Sequence, residues 1–232
     1  MHILLTRPIE DSKELIMKFK NLGHKVSHLP VINIVSKEYK DFSKKEFKGI
    51  IFTSSNAIKN LNLKKINKNI QCYCVGSATE RIARLSGFQN VYSADGNVNN
   101  LREIILQNFG NKNEKLIYVS GEITASDLHK DLVSEGYNVS RIINYKVLPV
   151  ENLDLKFLEE LKPSIPEIVF IYSQNSAKNF LSIIKKYELQ DYWMNTNLMC
   201  IGEKTSTVLN EIKWKKIFLF NPGEEEYLLY KI

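Results

Sequence analysis

The chain repeats itself, and the order of the repeats limits what it can fold into. The segment FTSSNAIKNL at residues 52–61 recurs as IYSQNSAKNF at residues 171–180. In both, an apolar run ends in a hydroxyl-rich turn and a helical pattern follows. CVGSATERIARL, from Cys74, recurs as CIGEKTSTVLNE, from Cys200, with Gly76 on Gly202 and Thr79 on Thr205. The third element of the first copy, LIYVSGEITASDLHKDLVSEGYNV, runs from Leu116 to Val139. Its partner stands at the other end of the chain: ILLTRPIEDSKELIMKFKNLGHKV, from Ile3 to Val26, with Leu15 on Leu128, Gly23 on Gly136 and Val26 on Val139. Three matched pairs in one circular order predict two lobes. One is continuous, residues 35–149. The other is discontinuous, combining residues 1–34 with residues 150–232. The chain must then cross between them twice, at connectors predicted in 34–47, polar and lysine-rich, and 147–166, which carries three prolines.

Short β-branched runs alternate with longer amphipathic stretches throughout. Strands are predicted at 2–5, 25–30, 49–52, 71–75, 90–92, 115–119, 139–148, 168–172, 198–201 and 216–220. Helical runs lie between them, as at 12–21, where Leu15, Ile16 and Phe19 share a face. This alternation predicts an α/β fold in which each lobe is a parallel, flavodoxin-like sheet flanked by helices.

Composition narrows the function classes. Hydrophobic residues are 44% and charged residues 25% of the 232-residue chain, a globular balance. No apolar run approaches the roughly 18 residues that span a bilayer. The opening MHILLTRPIEDS lacks the basic start and cleavage site of a signal peptide, so a cytoplasmic location is expected. Cys72, Cys74 and Cys200 are an odd number without framework spacing, and suit buried core positions. The four histidines share no ligand spacing with them, so no metal is expected. The net charge is +6, but its lysines are spread out, with mild clusters at 44–48 and 59–68. That spread lacks the basic stripe of a nucleic-acid binder and remains compatible with an anionic small ligand.

Ligands of parallel α/β sheets bind beyond the carboxyl ends of the strands. The turns expected there are Thr6-Arg7-Pro8, Thr53-Ser54-Ser55-Asn56, Gly76-Ser77-Ala78-Thr79, Ser120-Gly121, Ser173-Gln174-Asn175, and Gly202 to Lys204 and Thr205. Each is expected to open a helix, whose first N–H groups and partial positive charge favour carboxylate or phosphate. Ser, Thr and Asn are also ordinary N-caps, so one such turn says little; six of them predict a shared anion-binding cleft. Gly-x-x-x-x-Gly-Lys-[Ser/Thr], Gly-x-Gly-x-x-Gly and Gly-x-Ser-x-Gly are all missing, and no nucleotide cofactor or esterase-type nucleophile is indicated. Asp95, Glu122 and Asp127 show no paired arrangement; Gly121-Glu122 reads as an exposed cap. Glu224, Glu225 and Glu226 read as acids favouring the start of a final helix.

Together these motifs resemble the uroporphyrinogen-III synthase family across essentially the whole chain. The matching pieces are LLTRP with Gly23-His24 and Leu29-Pro30, IIFTSSNAI, CVGSAT, YVSGEITASDL, the Tyr145 strand RIINYKV, FIYSQNSA, CIGEKT, and Asn221-Pro222. The resemblance implies two α/β lobes joined by two strands, the first discontinuous. It implies a cofactor-free lyase that cyclises hydroxymethylbilane, a linear tetrapyrrole with eight carboxylates, to uroporphyrinogen III. Ring D is inverted through a spiro intermediate. Tyr145 matches the tyrosine thought to assist departure of the terminal hydroxyl. Thr205, Ser54, Ser173, Ser77, Thr79, Ser120 and Gly121 match cleft positions; Arg7 belongs to the opening motif and also suits bracing its lobe. The implied partner is the small-molecule substrate alone, with no nucleic acid or membrane, and the implied state is a monomer. Two turns depart from the family pattern: Glu203-Lys204 replaces the usual Pro and Thr, and Gly223 replaces a hydroxyl. Glu203 is expected to point away from an acidic substrate and Lys204 to contact it. The alternative from another class is a two-lobed binding or regulatory module that kept the cleft and lost catalysis.

Overall fold

Apolar runs of four to six residues become strands buried on both faces, and the amphipathic stretches become the helices that cover them. The computed structural model describes residues 1–43, 46–95, 97–124, 126–221 and 223–231. In chain order the elements are β1 (His2–Leu5), α1 (Ile9–Asn21), β2 (Lys25–His28), β3 (Ile32–Ser36), β4 (Gly49–Phe52), α2 (Ser55–Lys59), β5 (Gln71–Val75), α3 (Ser77–Leu85), β6 (Asn90–Ala94), α4 (Val98–Asn108), β7 (Leu116–Gly121), α5 (Leu128–Ser134) and β8 (Val139–Pro149). They continue with α6 (Leu155–Leu161), β9 (Ile168–Ile171), α7 (Gln174–Lys186), β10 (Asn197–Cys200), α8 (Glu203–Val208), β11 (Lys216–Leu219) and α9 (Glu225–Leu228).

The chain divides into two compact units, Met1–Asn33 with Leu148–Ile232, and Ile34–Val147. The first holds a five-stranded sheet in the order β11-β10-β9-β1-β2, parallel throughout. The second holds a six-stranded sheet in the order β3-β8-β7-β4-β5-β6, parallel from β8 to β6.

The edge strand β3 departs from the all-parallel expectation. The Lys37 N–H donates to Asn144 O at 2.8 Å and the Val150 N–H to Val31 O at 3.0 Å. Taken in opposite order along the two segments, these bonds make β3 antiparallel to β8. β3 also overlaps the stretch predicted to be a connector. Its residues INIVS are half-buried or exposed, so an edge position leaves no apolar run to read.

Alternation along the central strands builds a core on each side of each sheet. In the first unit Leu4, Val169, Leu198 and Cys200 face Phe180, Trp193 and Leu209. Ile3, Leu5, Phe170 and Met199 take the opposite side with Phe19 and Leu228. In the second unit Ile50, Phe52, Cys72, Cys74 and Val119 line one core, and Ile51, Tyr73, Leu116 and Tyr118 the other. All three cysteines are buried and unbridged, and burial pushes the Cys200 thiol up to about 12. Among the described residues no three His, Cys, Asp or Glu side chains gather as metal ligands. Nor is any helix there long and apolar enough to cross a membrane.

The repeated glycines have a backbone reason. Gly76 and Gly202 are the N-caps of α3 and α8, with φ of 77° and 75° and ψ of 152° and 157°. A side chain is strained in that region, so both copies need glycine where strand turns into helix.

Both tryptophans pack about one phenylalanine: Phe180 lies 5.2 Å from Trp193, edge to face, and 6.4 Å from Trp214, tilted, centroid to centroid. Phe180→Ala should therefore lower stability by about 3–5 kcal/mol. Urea unfolding followed by tryptophan fluorescence checks this, and an unchanged midpoint would contradict the packing.

Candidate functional site

In the second unit the carboxyl ends of β4, β5 and β7 carry Thr53, Gly76 and Gly121. After β4, Ser54 caps α2: its Oγ accepts the Asn56 N–H at 3.2 Å. Ser55 opens the helix and is half-buried. Thr53 Oγ1 and the Tyr118 hydroxyl are 3.1 Å apart, tying this turn to β7. After β5, Ser77 is exposed and Thr79 buried within the first turn of α3, whose glycine cap supplies no side-chain acceptor.

The end of β7 differs from expectation. Ser120-Gly121 opens no helix; it completes the strand, and α5 begins only at Leu128 with Asp127 as its cap. Gly121 is buried rather than part of an exposed cap. Only Glu122 is exposed, and Lys37 beside it holds its carboxyl below the usual carboxylate range. The reason is a bulge. Ser120 pairs with Ile143 but Gly121 with Tyr145, so Asn144 is an extra residue on β8. Asn144 is fully buried and its Nδ2 donates to Ala57 O in α2 at 2.7 Å.

The bulge turns Tyr145 onto Gly121. Tyr145 is 8% exposed. A Cβ on Gly121 would lie 2.7 Å from Tyr145 Cζ, 2.9 Å from Cε2 and 3.0 Å from the hydroxyl oxygen. The phenol thus rests directly on backbone.

Arg141 is the residue sequence reasoning missed here. Its Nε donates to Ser120 Oγ at 2.8 Å, and its Nη2 to Gly121 O at 2.8 Å and Glu122 O at 3.1 Å. Ser120 Oγ in turn donates to Gly121 O at 3.0 Å. Ser120 is therefore committed to the strand end. Tyr118 stands beside this group; burial pushes its phenol up, opposed by the Thr53 bond and the Arg141 charge.

In the first unit the corresponding ends belong to β1, β9 and β10. Thr6 is buried and donates to Phe170 O at 2.6 Å. Arg7 is half-buried, with its guanidinium carbon 4.5 Å from the centroid of the Tyr172 ring. Tyr172 has a buried hydroxyl with no hydrogen-bond partner among the described residues, and burial pushes its phenol up, reinforced by Glu225 and opposed by Arg7. Sequence reasoning missed this pairing because Tyr172 falls on Thr53 in the repeat, and the two differ. Ser173 caps α7, its Oγ accepting the Ser176 N–H at 3.1 Å, while Gln174 is exposed. Beyond β10, Gly202, Glu203 and Lys204 are exposed and Thr205 is buried in the first turn of α8. Two acids of the last turn act locally, Glu224 accepting from the Asn221 N–H and Glu225 from the Gly223 N–H, both at 2.9 Å, while Glu226 pairs with Lys18 of α1. Pro222 and Ala125 of the resembling motifs, and Lys44 and Lys45 of the basic cluster, lie outside the described residues.

Each unit thus gathers at its strand ends short hydroxyls, first-turn amides without side-chain caps, and one guanidinium. This chemistry suits carboxylates. The second unit adds a phenol held on backbone. Gly121→Ala should displace that ring and lower stability by about 1–3 kcal/mol, read by chemical denaturation; a neutral effect would mean the ring does not lie there. The raised pKa values of Tyr118 and Tyr172 have a signed consequence. Their stabilisation is complete below about pH 10, where unfolded tyrosine still holds its proton, and declines as pH rises towards the higher folded values. In alkaline spectrophotometric titration of the native protein, Tyr118 and Tyr172, with Tyr73 and Tyr137, whose phenols burial also pushes up, should ionise after the exposed ones among the eleven tyrosines. Eleven ionising together near pH 10 would contradict the burial.

The family description of uroporphyrinogen-III synthase HemD matches residues 13–220. Solved structures share the fold. The uroporphyrinogen-III synthetase of Helicobacter pylori superposes with a TM-score of 0.65 at 18% identity, covering 99% of this chain and 98% of that one. A mutant uroporphyrinogen III synthase of Thermus thermophilus gives 0.57 at 13% identity, covering 100% and 97%. No curated protein sequence matches. With nearly its whole length matched by the family description, the chain belongs to the uroporphyrinogen-III synthase HemD family.

Proposed function

We propose that this chain cyclises hydroxymethylbilane to uroporphyrinogen III, with ring D inverted, as a lyase of haem biosynthesis. The family match over residues 13–220 carries this conclusion. The reaction is a rearrangement that releases one water. Its balance needs no oxidant or reductant, which supports a cofactor-free enzyme with the substrate as its one partner. A monomer in the cytoplasm completes the proposal.

Tyr145 is proposed to donate a hydrogen bond to the departing terminal hydroxyl. A phenolic O–H is able to donate such a bond. Departure leaves an azafulvene cation. Attack on it by the substituted carbon of ring D gives the spiro intermediate, and fragmentation followed by reclosure inverts the ring. Free in solution the same chain closes to isomer I, so holding ring D against the cation is the enzyme's main task. Positioning of this kind can supply several kcal/mol without a nucleophile.

The substrate's carboxylates are proposed to bind at Arg7, Thr53, Ser54, Ser55, Ser77, Thr79, Ser173, Gln174, Gly202, Lys204 and Thr205. Ser54 and Ser173 already use an oxygen lone pair as helix caps; a hydroxyl that caps in this way can still donate its hydrogen, and that of Ser173 is shared with Ser176 Oγ, 2.9 Å away. Exposure of Ser77, Gln174 and Lys204 supports a role for each. Ser120 and Gly121 serve through the seat of Tyr145 rather than as direct ligands.

The test is to incubate the protein with freshly made hydroxymethylbilane, oxidise the products and separate the isomers. Isomer III in excess is expected. Isomer I alone, at the spontaneous rate, would overturn the enzyme and favour a binding module. Tyr145→Phe should lower turnover by about 10-fold or more with an unchanged circular dichroism spectrum; wild-type turnover would remove Tyr145 from the mechanism.

A further inference from the structure

We infer that Arg141 is a positioning residue for Tyr145: its guanidinium clamps the end of β7 on which the phenol rests. The inference rests on the proposed role of Tyr145. Three consecutive residues meet one side chain, through Ser120 Oγ, Gly121 O and Glu122 O, at 2.8, 2.8 and 3.1 Å. These are the residues where pairing with β8 changes register and where Gly121 comes to face Tyr145. The Glu122 N–H returns a bond to Tyr145 O at 3.0 Å. Arg141 thus holds all three residues through its side chain, and Tyr145, from the same strand, holds two of them, Gly121 through its ring and Glu122 through its backbone.

The internal repeat supplies an independent observation. With Leu15 set on Leu128, Leu5 falls on Tyr118 and His28 on Arg141. The strand pairing has the same register: Leu5 stands opposite His28 in the first unit, and Tyr118 opposite Arg141 in the second. His28 Nε2 donates to Arg7 O at 2.7 Å, the carbonyl at the end of β1. A side-chain donor at one register position therefore holds the neighbouring strand's end in both units. The two clamps differ in reach. Imidazole takes one carbonyl beside an unbulged strand end. The planar guanidinium fork takes three groups, where the extra Asn144 has loosened the ladder. The larger clamp accompanies the bulge and the tyrosine. A flexible bulge would let the phenol leave its seat, and misplacement by about 1 Å can lower a rate by about 100-fold.

The experiment is a double-mutant cycle on the full chain, with steady-state turnover of hydroxymethylbilane to isomer III as the readout. Wild type, Tyr145→Phe, Arg141→Met and the double variant are compared, with circular dichroism verifying each fold. Arg141→Met is expected to lower kcat about 10-fold and leave KM within about twofold. In the Tyr145→Phe background the same substitution is expected to change kcat by less than about twofold, because the group it positions is gone. Arg141→Lys should fall between, since an ammonium lacks the fork; it takes Arg141→Met's place in the cycle if that variant does not fold. An equal loss in both backgrounds, or a loss confined to KM, would overturn the inference while the role of Tyr145 stands. Wild-type turnover in Tyr145→Phe alone would overturn both, and is recognisable without any change at Arg141.

Discussion

Parallel strands cannot be joined by a tight turn. Each pair is bridged by a crossover, so every strand's carboxyl end opens into a loop on the same edge of its sheet. The parallel strands of both units obey this constraint, with the antiparallel edge strand β3 outside it, and it gathers Arg7, Tyr172 and Gly202 in one unit, and Thr53, Gly76 and Gly121 in the other, without any of these residues being neighbours in sequence. It also explains why the strands are apolar on both faces and why the helices carry one apolar stripe. Chemistry is left to the turns, where the core makes no demand for hydrophobicity.

Within that frame the second unit spends its irregularities in one place. The bulge at Asn144, the glycine at 121 and the arginine at 141 all serve a single ring. Each alone would be unfavourable in a regular strand. Glycine adds backbone freedom, a buried asparagine needs a partner, and a guanidinium in an apolar strand needs several. Most of these demands are met locally: Asn144 Nδ2 donates to Ala57 O, while its Oδ1 has no partner among the described residues, and Arg141 finds two carbonyls and a hydroxyl. The first unit has no such bulge on β1 and β2, and His28 suffices there.

Much of the fold was legible because repetition and alternation are written in residue types. β1, β4 and β5 begin and end where the apolar runs do. The matched Gly76 and Gly202 occupy one backbone conformation. What was not legible depends on neighbours distant in sequence. β3 is an edge strand and carries no apolar run. Ser120-Gly121 resembles a helix-opening turn, and only pairing with β8 makes it a bulged strand end. Arg141 stands alone among apolar residues, and nothing local distinguishes a clamp from a snorkelling surface side chain. Arg7 was legible as a candidate, but its stacking on Tyr172 required the pairing of β1 with β9.

If the carboxyl ends of the strands hold the tetrapyrrole, its binding should register there and nowhere else on the sheets. Titrating uniformly ¹⁵N-labelled protein with uroporphyrinogen III under reducing conditions, and following backbone amide shifts, reads this directly. The largest changes are expected at residues 7, 53–55, 76–79, 120–122, 173–174 and 202–205. Changes concentrated at the opposite ends of the strands, around His2, Gly49, Gln71, Leu116 and Ile168, would contradict it.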